Sequence, residues 1–214
     1  MRALDRRRNI GAGLLSVSAL ALTIVVAAAG PAEAHHVMGG RTPSTFMDGL
    51  LSGLGHPVIG LDHLAFIVAI GIVAGVSGLS LGLPALFIAA SAVGVAVHVR
   101  GLALPGAEML VALSVLVAGG MIALGRSIQS WIWAALFILA GLVHGHAFGE
   151  SIYGAEASPL VAYLLGLLIV QAAIATGVAL LARRAGTAAI QPRLAGAAIA
   201  GIGIAILAGQ FLPT

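Results

Sequence analysis

This chain contains no cysteine and no lysine, and Asp, Glu, Lys and Arg together make up only 8% of its 214 residues. Without cysteine there is neither a disulfide framework nor a thiolate metal site. A bound metal must therefore be held by His, Asp, Glu, Met, backbone or water. A soluble domain carries roughly a quarter of its residues as charges. At 60% hydrophobic and a mean hydropathy of +1.13, this composition is that of an integral membrane protein. The ten basic residues are all arginines and lie at the ends of apolar segments. There they serve topology and give no footing for nucleic acid. No GxxxxGK[ST] phosphate loop is present, so the chain carries no ATP-driven machinery of that type.

The N-terminus reads as a secretory signal over residues 1–34. Arg2, Arg6, Arg7 and Arg8 form its charged start, Ile10 to Ala29 its apolar stretch, and Ala32-Glu33-Ala34 a small-x-small cleavage site. Cleavage there leaves residues 35–43, beginning His35-His36, as a short outer segment. The alternative is an uncleaved first transmembrane helix. Residues 44–214 form the membrane domain. Six apolar stretches have the roughly 20 residues a span requires: 58–77, 79–99, 106–125, 130–148, 158–182 and 194–212. Before them, Ser44 to Gly55 is too short to span and reads as a half-helix broken at His56-Pro57. The expected fold is all-α, a compact bundle of about six transmembrane helices. Glycines at i, i+4, such as Gly141, Gly145 and Gly149, are read as close-packing positions.

Charge sets the expected orientation. With residue 35 outside, Arg126, Arg183, Arg184 and Arg193 fall inside, and Arg41, Arg100, Glu150 and Glu156 fall outside. Both termini of the mature chain are then on the outer, periplasmic side of a cell inner membrane. This topology gathers the ionisable residues at one end. His56, Asp62 and His63 lie at the outer end of the first span, His98 at that of the second, Glu108 at that of the third, and His144, His146 and Glu150 at that of the fourth. Ionisable side chains in hydrocarbon are expensive and rarely kept without a role.

Imidazole with carboxylate suits borderline divalent metals, and spacing alone leaves Ni²⁺, Co²⁺ and Zn²⁺ open. His56, Asp62, His63, His144, His146 and Glu150 are the candidate metal residues, with His36, His98 and Glu108 behind them. Asp62 has a second reading, as acceptor of a ligand histidine's other N–H. His98 alone also reads as a histidine bonded to backbone, and Glu108 as a charge at a helix N-terminus. His144 and His146 stand two apart, about 200° around a helix, so at most one is expected to face a given centre. Pro57, Gly60 and Gly145 are read as structural, the first two bending the chain at the motif.

His56-Pro57-Val58-Ile59-Gly60-Leu61-Asp62-His63 matches HPxxGxDH position by position, and on it the chain resembles the HupE/UreJ family. In the fourth span the family tends to show His-Gly-x-Ala-His-Gly. Here His144-Gly145-His146-Ala147-Phe148-Gly149 has Phe148 for the last histidine, and the stretch to Glu156 resembles a cyanobacterial-type branch. The resemblance implies a permease for nickel or cobalt, with the metal as cargo and no catalytic cofactor. Its partners are then the divalent ion and the lipid bilayer, with metallochaperone or metalloenzyme-assembly proteins as further candidates. Two other readings stand beside it: an intramembrane zinc-dependent hydrolase, for which no HExxH is present, and a membrane metal-binding accessory without transport.

Overall fold

The computed structural model describes residues 41–78, 82–185 and 190–211. The expected signal segment, His35 and His36 lie outside the described residues. Seven α-helices follow one another: α1 Phe46–Ile59, α2 Leu61–Val76, α3 Gly82–Val99, α4 Ala107–Leu124, α5 Ser130–Gly149, α6 Ala157–Ala185 and α7 Ile190–Gly209. A single 3-10 turn, Glu150–Ile152, follows α5. No strand occurs among the described residues.

Helices α3 to α7 are each long and apolar enough to cross a membrane. A sixth crossing comes from α1 and α2 if they count together as one span bent by 78°. The chain is a multi-pass membrane protein.

Of the two residues expected to bend the chain, Gly60 does so; the half-helix is not broken at His56-Pro57. α1 runs unbroken through Pro57 and ends at Gly60, whose backbone is extended at φ −71° and ψ 104°. Pro57 falls in the last turn of α1, where its missing N–H leaves the Gly53 carbonyl without its helical donor, and the helix ends two residues later. Gly60 then accepts from Leu64 N at 2.9 Å, so the chain re-enters a helix at once. At its other end α1 is fixed by a capping box. Thr45 Oγ1 accepts from Asp48 N, and Asp48 Oδ2 accepts from Thr45 N, each at 3.1 Å.

Glycines set how closely the helices meet. A Cβ on Gly49 or Gly53 of α1 would collide with the backbone of Pro159 or Tyr163 on α6. One on Gly145 of α5 would strike the Ser91 carbonyl of α3, and Gly119 and Gly196 join α4 to α7 in the same way. Lipid tails are as apolar as the helices, so close backbone packing supplies the association that hydrophobicity cannot. The central element is α2, which touches α1, α3, α4, α6 and α7. It is buried nearly all round, and apart from Asp62 and His63 in its first turn it is apolar on every face. Its Phe66, Ile67 and Ile70 meet Phe87, Val115, Phe137 and Ala175 in the main core.

Candidate metal centre

Among the described residues, buried polar side chains are few and concentrated: Ser52, His56, Asp62, His63, Ser91, His144, His146, Ser151 and Gln171. Four of the nine are histidines from the motif and from α5. They arrive together because α1 and α2 meet at Gly60, which sets His56 and His63 with ring centroids 5.6 Å apart. α5 then brings His144 against α2.

His63 Nδ1 lies 3.0 Å from His144 Nδ1. Asp62 Oδ1 accepts from the His63 backbone N–H at 2.8 Å and lies 4.0 Å from His63 Nδ1. The far nitrogen of His144, Nε2, is 2.9 Å from Ser114 Oγ, which itself donates to the Val111 carbonyl at 2.7 Å. A hydroxyl has one hydrogen to give. With that hydrogen on Val111, Ser114 accepts from His144 Nε2–H, and the lone pair of His144 sits on Nδ1. His63 Nδ1–H then donates to it.

His56 is held by the same logic. Its Nδ1 is 2.9 Å from Ser151 Oγ and 3.0 Å from Tyr163 Oη. Tyr163 donates its hydrogen to the Phe148 carbonyl at 2.7 Å. The phenol oxygen therefore accepts from His56 Nδ1–H, which leaves Nε2 as the basic nitrogen.

His146 faces elsewhere. Its Nε2 is 2.9 Å from the Leu102 carbonyl, an acceptor only, so Nε2 carries the hydrogen. Its Nδ1 lies 3.3 Å from Nδ1 of His98 on α3. Gly149 makes room for the His98 ring, since a Cβ there would overlap it. The divergence expected for residues two apart is present: His144 turns to α2 and α4, His146 to α3 and the loop after it.

The remaining candidates are peripheral. Glu150 is exposed in the 3-10 turn. Glu108 is exposed in the first turn of α4 and accepts from Gln210 Nε2 at 3.2 Å, tying α4 to the end of α7. Phe148, at the position where a histidine was expected, is fully buried with its ring 4.3 Å from that of His63 and 5.2 Å from that of His56. Among the described residues no three His, Asp or Glu side chains are arranged to hold an ion jointly. The histidines come in pairs instead.

Ser114, Ser151, Tyr163 and the Leu102 carbonyl were not singled out in the sequence. Each is the partner of a histidine nitrogen. For Ser114 and Tyr163 the signal in the sequence is a hydroxyl in an apolar helix; the Leu102 carbonyl has none.

The HupE / UreJ protein family matches residues 22–206, most of the chain. The chain belongs to the HupE/UreJ family. A relative described as Protein HupE, from Rhizobium leguminosarum bv. viciae, is 32% identical over 191 residues, covering 87% of this chain and 96% of that protein. No solved structure matches. This HupE/UreJ chain therefore has the paired-histidine arrangement within a bundle that shares nearly the full length of its relative.

Proposed function

We propose that this HupE/UreJ protein is a permease admitting Ni²⁺ or Co²⁺ across the inner membrane, with its histidine-bearing end and both termini on the periplasmic side. The family is linked to nickel and cobalt accessory or uptake roles in hydrogenase and urease systems. The observation that carries the reading is the facing pair His63 and His144. Two nitrogens bound to one ion at about 2.1 Å and at right angles stand about 3.0 Å apart. That is the separation of the two Nδ1 atoms.

Metal-ligating histidines usually give their other ring N–H to an oxygen, which fixes tautomer and orientation. Ser114 does this for His144, as Leu102 does for His146. For His63 to bind through Nδ1, its hydrogen moves to Nε2. Two imidazoles leave the rest of the ion's coordination to water, which suits cargo that must be released. A catalytic zinc site takes three protein ligands and one open position. The pairwise arrangement among the described residues gives the hydrolase reading no support.

The test is ⁵⁷Co²⁺ or ⁶³Ni²⁺ uptake into cells expressing the full chain, compared with His63→Ala. Saturable uptake lost in the variant supports the permease. Wild-type protein that binds cobalt but moves none across proteoliposomes makes it an accessory without transport.

A further inference from the structure

Level with His144 and inward of His56 lies one further buried polar pair, Ser91 on α3 and Gln171 on α6, both fully buried. Ser91 Oγ donates to the Ile88 carbonyl at 2.9 Å and lies 3.1 Å from Gln171 Oε1. The amide nitrogen of Gln171 has no acceptor among the described residues. One hydroxyl hydrogen cannot serve both the carbonyl and the amide oxygen. The two ends of an amide are assigned from their hydrogen bonds, not from their shape. Exchanging them lets Gln171 donate to Ser91 and turns the amide oxygen to the open position. A buried amide in an apolar bundle with one end unsatisfied calls for a water or an ion.

The location gives that group a task. Val95 and Leu167 belong to an apolar cluster with Phe148, Ile152 and Tyr163. Ser91 and Gln171 lie one helical turn inward of Val95 and Leu167 on the same helix faces. His56, bonded to Tyr163, lies at the outer side of that cluster, and Ser91 and Gln171 at the inner side. Gln171 is close to the middle of the span Ala157–Arg183. The Ser91 carbonyl abuts Gly145, the neighbour of His144, so the pair adjoins the histidine site through α5.

We infer that Gln171, held by Ser91, is a mid-membrane station that takes a hydrated divalent cation through its amide oxygen after the ion leaves the histidines. This rests on the permease reading. An oxygen ligand binds nickel and cobalt more weakly than imidazole. The handover is therefore uphill in binding free energy and is driven by the ion gradient, and the weaker ligand speeds release. No bond is made or broken beyond coordination.

Purified full-length protein in liposomes, assayed with Co²⁺ alone, decides it. Gln171→Met keeps volume and removes the oxygen. The expected result is unchanged cobalt absorption from the histidine site with uptake at least tenfold slower. Ser91→Ala, which frees the amide to turn, is expected to slow uptake by a smaller factor. Wild-type uptake in Gln171→Met overturns the inference. So does loss of cobalt binding together with thermal stability, which makes the residue structural. Should Gln171→Met not fold, Gln171→Glu keeps the reach and adds a charge. It is expected to retain the ion and slow release, and wild-type uptake in it overturns the inference equally. Wild-type protein that neither binds nor moves cobalt removes the permease reading itself.

Discussion

His144 and His146 are neighbours but one on α5, yet each has its Nδ1 within hydrogen-bonding reach of a different histidine, His63 at 3.0 Å and His98 at 3.3 Å. A helix advances 100° per residue, so the two side chains point to opposite sides and serve two sites. The His98 pair includes a half-exposed ring and the His63 pair is buried, which orders them from the surface inward.

Two pairs should give two classes of cobalt binding. His146→Ala is expected to remove one class and leave the other, and His144→Ala to do the reverse. Visible absorption during Co²⁺ titration of the detergent-solubilised protein measures both. Identical titrations for the two variants would show a single shared site.

Ser114, its hydrogen given to Val111, accepts from His144 Nε2–H and so leaves the lone pair of His144 on Nδ1. Losing a partner of this kind typically costs 10–100-fold in metal affinity. Ser114→Ala should weaken cobalt binding by about that factor with the fold intact. Ser114→Thr, which keeps the hydroxyl, should restore most of it. Equal affinity in Ser114→Ala would mean that His144 holds its tautomer unaided.

Protonated imidazole cannot ligate, so metal binding releases or excludes protons and weakens as pH falls. Uptake should decline as pH falls and protons compete with the ion for the ring nitrogens. Rates measured in liposomes with external pH varied check this. A profile rising toward acid would point to proton-driven exchange in place of competition for the nitrogens.

Gly145 and Gly53 hold helix pairs at backbone contact. Valine at either position should destabilise the protein by about 1–3 kcal/mol, the usual range for overpacking. Thermal unfolding in detergent measures the loss. Gly177, which faces open space, is the control, and valine there should leave the packing unchanged.

The spans were legible because hydropathy over 20 residues is a strong and local signal. Gly60 was legible as a bending residue, but the break expected at His56-Pro57 is absent: α1 loses one helical hydrogen bond at Pro57 and continues to Ile59. The motif and the two α5 histidines were legible as ionisable groups in hydrocarbon. Their partners were not. Ser114, Tyr163 and Gln171 lie 30, 107 and 80 residues from the side chains they meet. Each is a single polar residue in an apolar helix, and only the packing of glycine-lined helices brings it to its partner.

Phe148 presents a ring where a third imidazole would have closed around His56 and His63. An ion gripped by two rings and several waters has a short residence time, because each protein ligand fewer makes dissociation faster. On the proposed permease reading, the chain gives up scavenging at trace concentrations in exchange for turnover. It should saturate at higher external metal, and run faster once saturated, than a relative with histidine at that position.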